Sequence, residues 1–518
     1  MTKDISNSKE NYIFDDYIAA IEKCKVYEVA CVSVLQPTNY LSHRFGQRIF
    51  LKREDQQSVF SFKLRGAYNK IALLSDRQKQ AGIVAASAGN HAQGVALSAR
   101  KLGVNASIVM PLTTPPIKVK AVALFNPNIL RYGDTYDEAY GYAVEFAKQN
   151  NHIFVHPYDD PQVIAGQGSI GKEIHEQCRQ PIDAVFVPVG GGGLIAGVAV
   201  YLKKFRPQTK IIGVEPSDAP TLYTALQRGQ ATTLDKVGLF SDGTAVRRVG
   251  DETFRIAKAL VDEVVLVSTD EICAAIKDNF DENRTLLEPA GALSIAGMKN
   301  YIEHHRCTDN VLVAIISGAN INFDRLKHVV ERYEIGAGSE SLLSVTIPER
   351  PGSFVEFCRT IGKQKLTEFN YRYSDKAEAR VFVGLEFENP QSDKPQTIAA
   401  LLDKGYEVID LSDNEMAKLH IRHMVGGHLN DNRRNEQLCR FQFPERPGAL
   451  LEFLEYFATQ DLNISLFHYS NHGAEYGRIL AGVQVPKNKI GEFKKAMQQS
   501  RYQYQDESGN PAYQLFLR

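Results

Sequence analysis

Four consecutive glycines, Gly190, Gly191, Gly192 and Gly193, constrain this chain more than any other stretch. They follow an apolar run over 184–189 and precede Leu194 and a helix-like run over 195–205. Glycine loses more conformational freedom on folding than any other residue, so a run of four persists where backbone must approach something closely. A flexible linker is the other use of such a run, but a position between a buried strand and a helix argues against it. The N–H groups of a strand-turn-helix corner converge at a helix N-terminus. Such a nest binds a phosphate dianion without any basic residue. The glycines and Pro188 also interrupt the longest uncharged run, between Asp183 and Lys203, so a membrane span is excluded there.

The same alternation extends over residues 32–322. Apolar runs at 107–111, 128–133, 184–189 and 211–216 read as strands and 136–149 as a helix. Strands spaced by helices imply parallel sheets with right-handed crossovers, an α/β catalytic region.

Three further stretches carry chemistry. In Ser61-Phe62-Lys63-Leu64-Arg65-Gly66-Ala67 a lysine sits between apolar neighbours just before a helix expected over 65–74. Burial disfavours the ammonium form, and a lysine attacks an aldehyde only as the free amine. Its alternative is a helix-start lysine with its stem on Phe62 and its head in water. Ser87-Ala88-Gly89-Asn90-His91 lies between the apolar run 83–86 and a helix expected over 92–102, stopped by Gly103. That corner suits a substrate carboxylate, while an ordinary capped turn is the other reading. Ser317-Gly318-Ala319-Asn320 follows the β-branched run 311–316, at the strand end where open α/β sheets place ligands. An amine, an amide, a phosphate nest and a hydroxyl match the groups of pyridoxal phosphate.

With SFKLRGA, SAGNH, GGGGL and SGAN in this order, the first 325 or so residues resemble the fold-type II pyridoxal-phosphate enzymes, most closely the threonine ammonia-lyases (dehydratases or deaminases). The resemblance implies two parallel-sheet lobes, the smaller at about 55–157, with pyridoxal 5'-phosphate between them. It implies that Lys63 carries the cofactor and acts as general base, Asn90 meets its 3'-oxygen, Gly190 to Leu194 hold its phosphate, and Ser317 meets its ring nitrogen. Ser87, Ala88, Gly89, Asn90 and His91 would bind the substrate threonine. Glu288 resembles a residue near the cofactor ring, with a helix cap as its alternative. Racemases of the family have serine where this chain has Ala88, which favours elimination over a serine racemase. Related enzymes build a cation site from a glutamate like Glu215, but a later acidic position is Thr221 here, so no metal is expected.

The remaining third is a duplication: Ile347-Pro348-Glu349-Arg350-Pro351-Gly352 recurs as Phe443-Pro444-Glu445-Arg446-Pro447-Gly448. Each copy reads β-α-β-β-α with a closing strand, a ferredoxin-like α+β pattern. The expected helices are 353–361 and 396–404 in the first copy, 449–458 and 490–499 in the second. Both copies resemble ACT-like regulatory domains that bind amino acids. The expected division is a catalytic domain 1–322, a linker helix 323–340, and ACT-like domains at 341–427 and 436–518. Phe354, Asn370 and Tyr371 are the candidate effector contacts, isoleucine the implied inhibitor and valine a candidate antagonist. A plain dimerisation module is the alternative.

Composition excludes other classes. Lys plus Arg is 60 against 61 for Asp plus Glu, so no basic surplus favours nucleic acid or an anionic membrane. Seven cysteines without a CxxC pair point to a reduced, cytoplasmic protein. The implied activity is deamination of L-threonine, with L-serine as a second substrate, in a homotetramer. A catabolic serine/threonine dehydratase is the near rival. A non-catalytic amino-acid sensor is the rival from another class.

Overall fold

The apolar runs lie edge to edge in two separate sheets of the first of two compact units, Met1–Leu326 and Lys327–Arg518. The structure is a computed structural model and describes residues 14–336, 339–348, 353–362, 364–373, 378–387, 389–423, 436–444, 463–470, 476–500 and 502–517. In the first unit a six-stranded sheet has the order Leu35–Pro37, Arg48–Arg53, Val311–Ile316, Ala184–Pro188, Lys210–Pro216, Glu263–Val267. Only the edge strand Leu35–Pro37 is antiparallel. A second sheet, Asn128–Arg131, Ala106–Met110, Ile83–Ala86, Ile153–Phe154, is wholly parallel. Strands such as Ala184–Pro188 and Val311–Ile316 are buried along their whole length. Helices therefore cover both faces, as crossover connections require.

Helices begin nearer the motifs than the sequence suggests. Lys63 opens the helix Lys63–Ala72 instead of preceding it, and Asn90 opens Asn90–Leu102, which Gly103 ends at φ 66. Gly193 opens Gly193–Phe205 behind Gly192, the left-handed N-cap at φ 90. First-turn residues carry no apolar periodicity, so periodicity misses them.

The helix bearing Lys63 is fixed by a buried ionic knot. Arg65 pairs with Glu54 at 2.8 Å and with Glu173, on the helix Pro161–Gln177, at 2.6 Å; Lys52 pairs with Glu173 at 2.6 Å. All four side chains are buried, so removing one partner would strand its opposite charge.

In the second unit each copy forms a four-stranded antiparallel sheet. The first has the order Lys365–Tyr373, Glu378–Glu386, Glu340–Pro348, Glu407–Asp410; the second, Asn463–Ser470, Tyr476–Gln484, Glu436–Pro444, Gln503–Asp506. Helices Ser353–Ile361 and Pro390–Asp403 complete the first copy, and Ile490–Gln499 belongs to the second. The expected helix 449–458 and both PERPG turns beyond Pro348 and Pro444 lie outside the described residues. The expected linker stretch contains the 3-10 turn Phe323–Arg325 and the helix Leu326–Gly336.

The two copies share one core, in which Leu342, Phe382, Leu438, Leu480, Met416 and Phe516 pack together. Repeat-equivalent residues make equivalent bonds: Leu342 N–H donates to Ser412 Oγ and Leu438 N–H to Ser508 Oγ, both at 3.1 Å. Asn414 and its counterpart Asn510 hydrogen-bond each other at 3.1 Å. A self-contact between equivalent residues is the mark of a pseudo-twofold axis.

Candidate active site

Three of the four motifs touch directly, and the tetraglycine turn is reached from Lys63 through Pro157 and Tyr158. Lys63 donates its amine to Pro157 O at 3.0 Å and lies 5.3 Å from the Phe62 ring centroid. The next residue, Tyr158, is the floor of the tetraglycine turn. A Cβ on Gly191 would fall within the Tyr158 ring, and one on Gly193 would come 3.0 Å from Tyr158 Cα. Phe62 N–H donates to Ser317 O at 3.2 Å, and Ser61 bridges Gly318. Asn90 Nδ2 donates to Glu288 Oε1 at 2.6 Å, while Asn90 Oδ1 accepts from Asn320 at 2.6 Å. The Glu288 carboxylate lies against Gly318, where a side chain would collide with it.

Burial lowers the Lys63 amine to a pKa of about 8, a shift that the Glu288 carboxylate opposes. The free amine is thus accessible near neutral pH. Glu288 stands at the start of the helix Pro289–His305 but makes no side-chain cap bond to it. Instead it is buried, and burial, helped by Asp242, raises its carboxyl to about 7 against the Asn90 hydrogen bond, Lys118 and Arg325.

The turn at 190–194 tests whether pyridoxal phosphate fits. Residues 191–194 are buried, yet among the described residues the N–H groups of Gly190 to Leu194 have no protein acceptor. Buried donors normally find partners, so a row of open ones at a helix start fits an anion. The glycines themselves answer a second demand: Thr244 Cα would be 2.9 Å from a Cβ on Gly190, and Thr253 Oγ1 2.9 Å from one on Gly192. Close approach here is first to protein, which leaves the N–H edge open. At the 87–91 corner, the N–H groups of Ala88, Asn90 and His91 likewise lack an acceptor among the described residues. Ser317 Oγ donates to Ala290 O at 3.2 Å, a long contact for a hydroxyl that a small rotation would give up.

Not every expected residue faces this site. The His91 ring is buried and bonds Val155 O at 2.9 Å, with burial and Lys63 pushing its pKa down to about 3; its side chain ties sheet to helix. Glu215 accepts N–H bonds from Leu222 at 2.7 Å and Tyr223 at 2.9 Å, securing the start of the helix Thr221–Arg228. Phe354 lies on Ser353–Ile361, and Asn370 and Tyr371 on Lys365–Tyr373; their side chains fall outside the described residues. Tyr158, Thr244 and Asp242 were not legible in advance, because each reaches the site from a loop with no motif of its own.

Residues 32–318 match the family model described as pyridoxal-phosphate dependent enzyme. Residues 331–421 and 428–517 each match the C-terminal regulatory domain of threonine dehydratase. The chain is 51% identical to the biosynthetic L-threonine dehydratase of Pasteurella multocida (strain Pm70), over 97% of each chain. A solved threonine deaminase isoform 2 from Solanum lycopersicum is 48% identical, with a TM-score of 0.61, over 62% of this chain and 93% of that one. Maize serine racemase is 29% identical, with a TM-score of 0.57, over 61% and 96%. With one pyridoxal-phosphate enzyme match followed in the chain by two regulatory-domain matches, the chain belongs to the pyridoxal-phosphate-dependent biosynthetic threonine dehydratases.

Proposed function

We propose that the chain converts L-threonine to 2-oxobutanoate and ammonia, accepts L-serine as a second substrate, and supplies the first step of isoleucine formation. The observation that carries this reading is the row of unpartnered N–H groups at Gly190 to Leu194, joined through Pro157 and Tyr158 to the Lys63 amine. When bound, pyridoxal phosphate supplies the electron sink that makes the substrate Cα–H acidic.

The residues do the rest. Gly190, Gly191, Gly192, Gly193 and Leu194 hold the phosphate dianion with backbone donors. The open N–H groups at Ala88, Asn90 and His91 orient the substrate carboxylate. Lys63, whose amine burial makes easier to deprotonate, removes the α-proton as the free base. Loss of the β-hydroxyl as water leaves an enamine, which hydrolyses to the 2-oxo acid and ammonia. Ser317 presents a hydroxyl to the ring nitrogen, and a neutral partner does not hold a proton there as a carboxylate would, so elimination outruns slower alternatives. Ala88 offers no acid on the side opposite Lys63, which argues against racemisation.

The second unit senses isoleucine, with valine as antagonist and Phe354, Asn370 and Tyr371 as the effector contacts. The pairing of its two copies leaves the catalytic surfaces to assemble a cytoplasmic tetramer. Formation of 2-oxo acid from threonine and serine, with and without isoleucine or valine, tests the reading. A colourless protein with no 2-oxo acid formation would instead support the sensor.

A further inference from the structure

Residues 229–250, between the helices Thr221–Arg228 and Asp251–Leu260, form no helix or strand. So long an irregular stretch inside a compact unit is uncommon and usually has a task. Its part 241–246 reaches two walls of the site, the tetraglycine turn and the start of the helix Pro289–His305. Thr244 stands 2.9 Å from where a Gly190 Cβ would be, and a Cβ on Gly243 would come 2.8 Å from Ala290 Cβ, whose carbonyl accepts from Ser317. The turn is closed on itself by Thr244 N–H to Ser241 O at 2.9 Å and by the Ser241 and Thr244 hydroxyls at 2.7 Å.

Asp242, between them, joins two distant elements. It pairs with Lys118, on the helix Pro116–Ala123 beside the smaller sheet, and with Arg325 at 3.7 Å. Arg325 also donates to Phe240 O at 2.8 Å. Burial would raise the Asp242 carboxyl, but the two cations overcome this and hold it well below the usual carboxylate range. A second tie, Arg247 to Asp137 at 2.9 Å, binds the same stretch to the helix Tyr136–Gln149. Arg325 immediately precedes Leu326, the first residue of the helix Leu326–Gly336 that enters the second unit.

We propose that 241–246 is an ionic strap over the cofactor site, with Asp242 as the positioning residue whose pairs with Lys118 and Arg325 set how firmly the phosphate turn is held and link that turn to the second unit. The link to the second unit rests on the reading that isoleucine acts there. Lys118 grips the strap from the smaller lobe and Arg325 from the interdomain junction. A shift of the junction helix, transmitted through Arg325, loosens or tightens the contact of Thr244 on Gly190.

The test uses full-length holoenzyme and two readouts: the rate at which bound pyridoxal phosphate is lost on dialysis, and threonine turnover against isoleucine concentration. Lys118→Gln should lose the cofactor about tenfold faster and Arg325→Gln, which removes the more distant cation, about threefold faster, since each leaves the Asp242 carboxylate with one cation in place of two. Arg325→Lys, which keeps the charge, should stay within about twofold of wild type. Isoleucine should change the loss rate of wild type but not of Arg325→Gln. Loss rates within twofold of wild type in both glutamine variants, with thermal unfolding unchanged, would overturn the strap. Should Lys118→Gln fail to fold, Arg325→Gln decides alone. An undiminished isoleucine effect in Arg325→Gln would overturn the link. If isoleucine leaves wild-type turnover unchanged, the regulatory reading fails instead, and the strap stands or falls on the loss rates.

Discussion

The two units treat their polar backbone in opposite ways. In the catalytic unit the turns at 87–91 and 190–194 leave N–H groups open at the carboxyl ends of parallel strands. In the regulatory unit, among the described residues, strand N–H groups are answered by serine hydroxyls of the same copy, as Leu342 by Ser412 and Leu438 by Ser508. A parallel sheet with helical crossovers delivers several helix N-termini to one edge, and that edge becomes a ligand site. Antiparallel sheets with hairpins pair their backbone locally, and their faces are left for packing copy against copy. Chemistry is therefore expected where donors are unfinished, and signalling where equivalent surfaces meet.

Lys63→Ala sharpens this contrast most. Turnover should fall by about a thousandfold or more and the visible cofactor band should vanish, while thermal unfolding of the regulatory unit stays unchanged. Retained activity would remove Lys63 from the reaction.

Removing 327–518 should abolish isoleucine inhibition and leave threonine turnover in place, measured as half-inhibition on the soluble fragment. Undiminished inhibition would place the effector in the catalytic unit and break the comparison.

Gly191→Ala should cost about 1–3 kcal/mol in stability, because its new methyl must displace the Tyr158 ring. Cofactor occupancy should fall with it; occupancy equal to wild type would take the tetraglycine turn out of phosphate binding. Leu342→Ala, in the shared core of the two copies, should cost about 2–4 kcal/mol by denaturant unfolding without altering uninhibited kcat.

The smallest effect is a pH shift. Capture of pyridoxal phosphate by the apoenzyme should rise with pH through a midpoint near 8, as the Lys63 amine loses its proton. The Glu288 carboxylate raises that pKa, so Glu288→Gln should move the midpoint to lower pH. An unmoved midpoint would show that Glu288 does not act on the amine.

Local pattern was enough for much of the molecule. Four-glycine spacing after an apolar run, β-branched strands and the repeated Pro-Glu-Arg-Pro-Gly turn are legible because backbone preference and burial act over a few residues. They led to a parallel α/β catalytic region, an α+β duplication, and the lysine, amide, nest and hydroxyl that meet in one place. The tertiary structure alone decided what surrounds them: Arg65 knotted to Glu54 and Glu173, Tyr158 under the glycines, His91 turned to Val155, and Asp242 between Lys118 and Arg325. Those partners lie up to 124 residues apart, as Lys118 and Asp242 do, and a charge pair leaves no periodicity in the sequence between its members. Its geometry exists only once burial has made an unpaired charge too costly to keep.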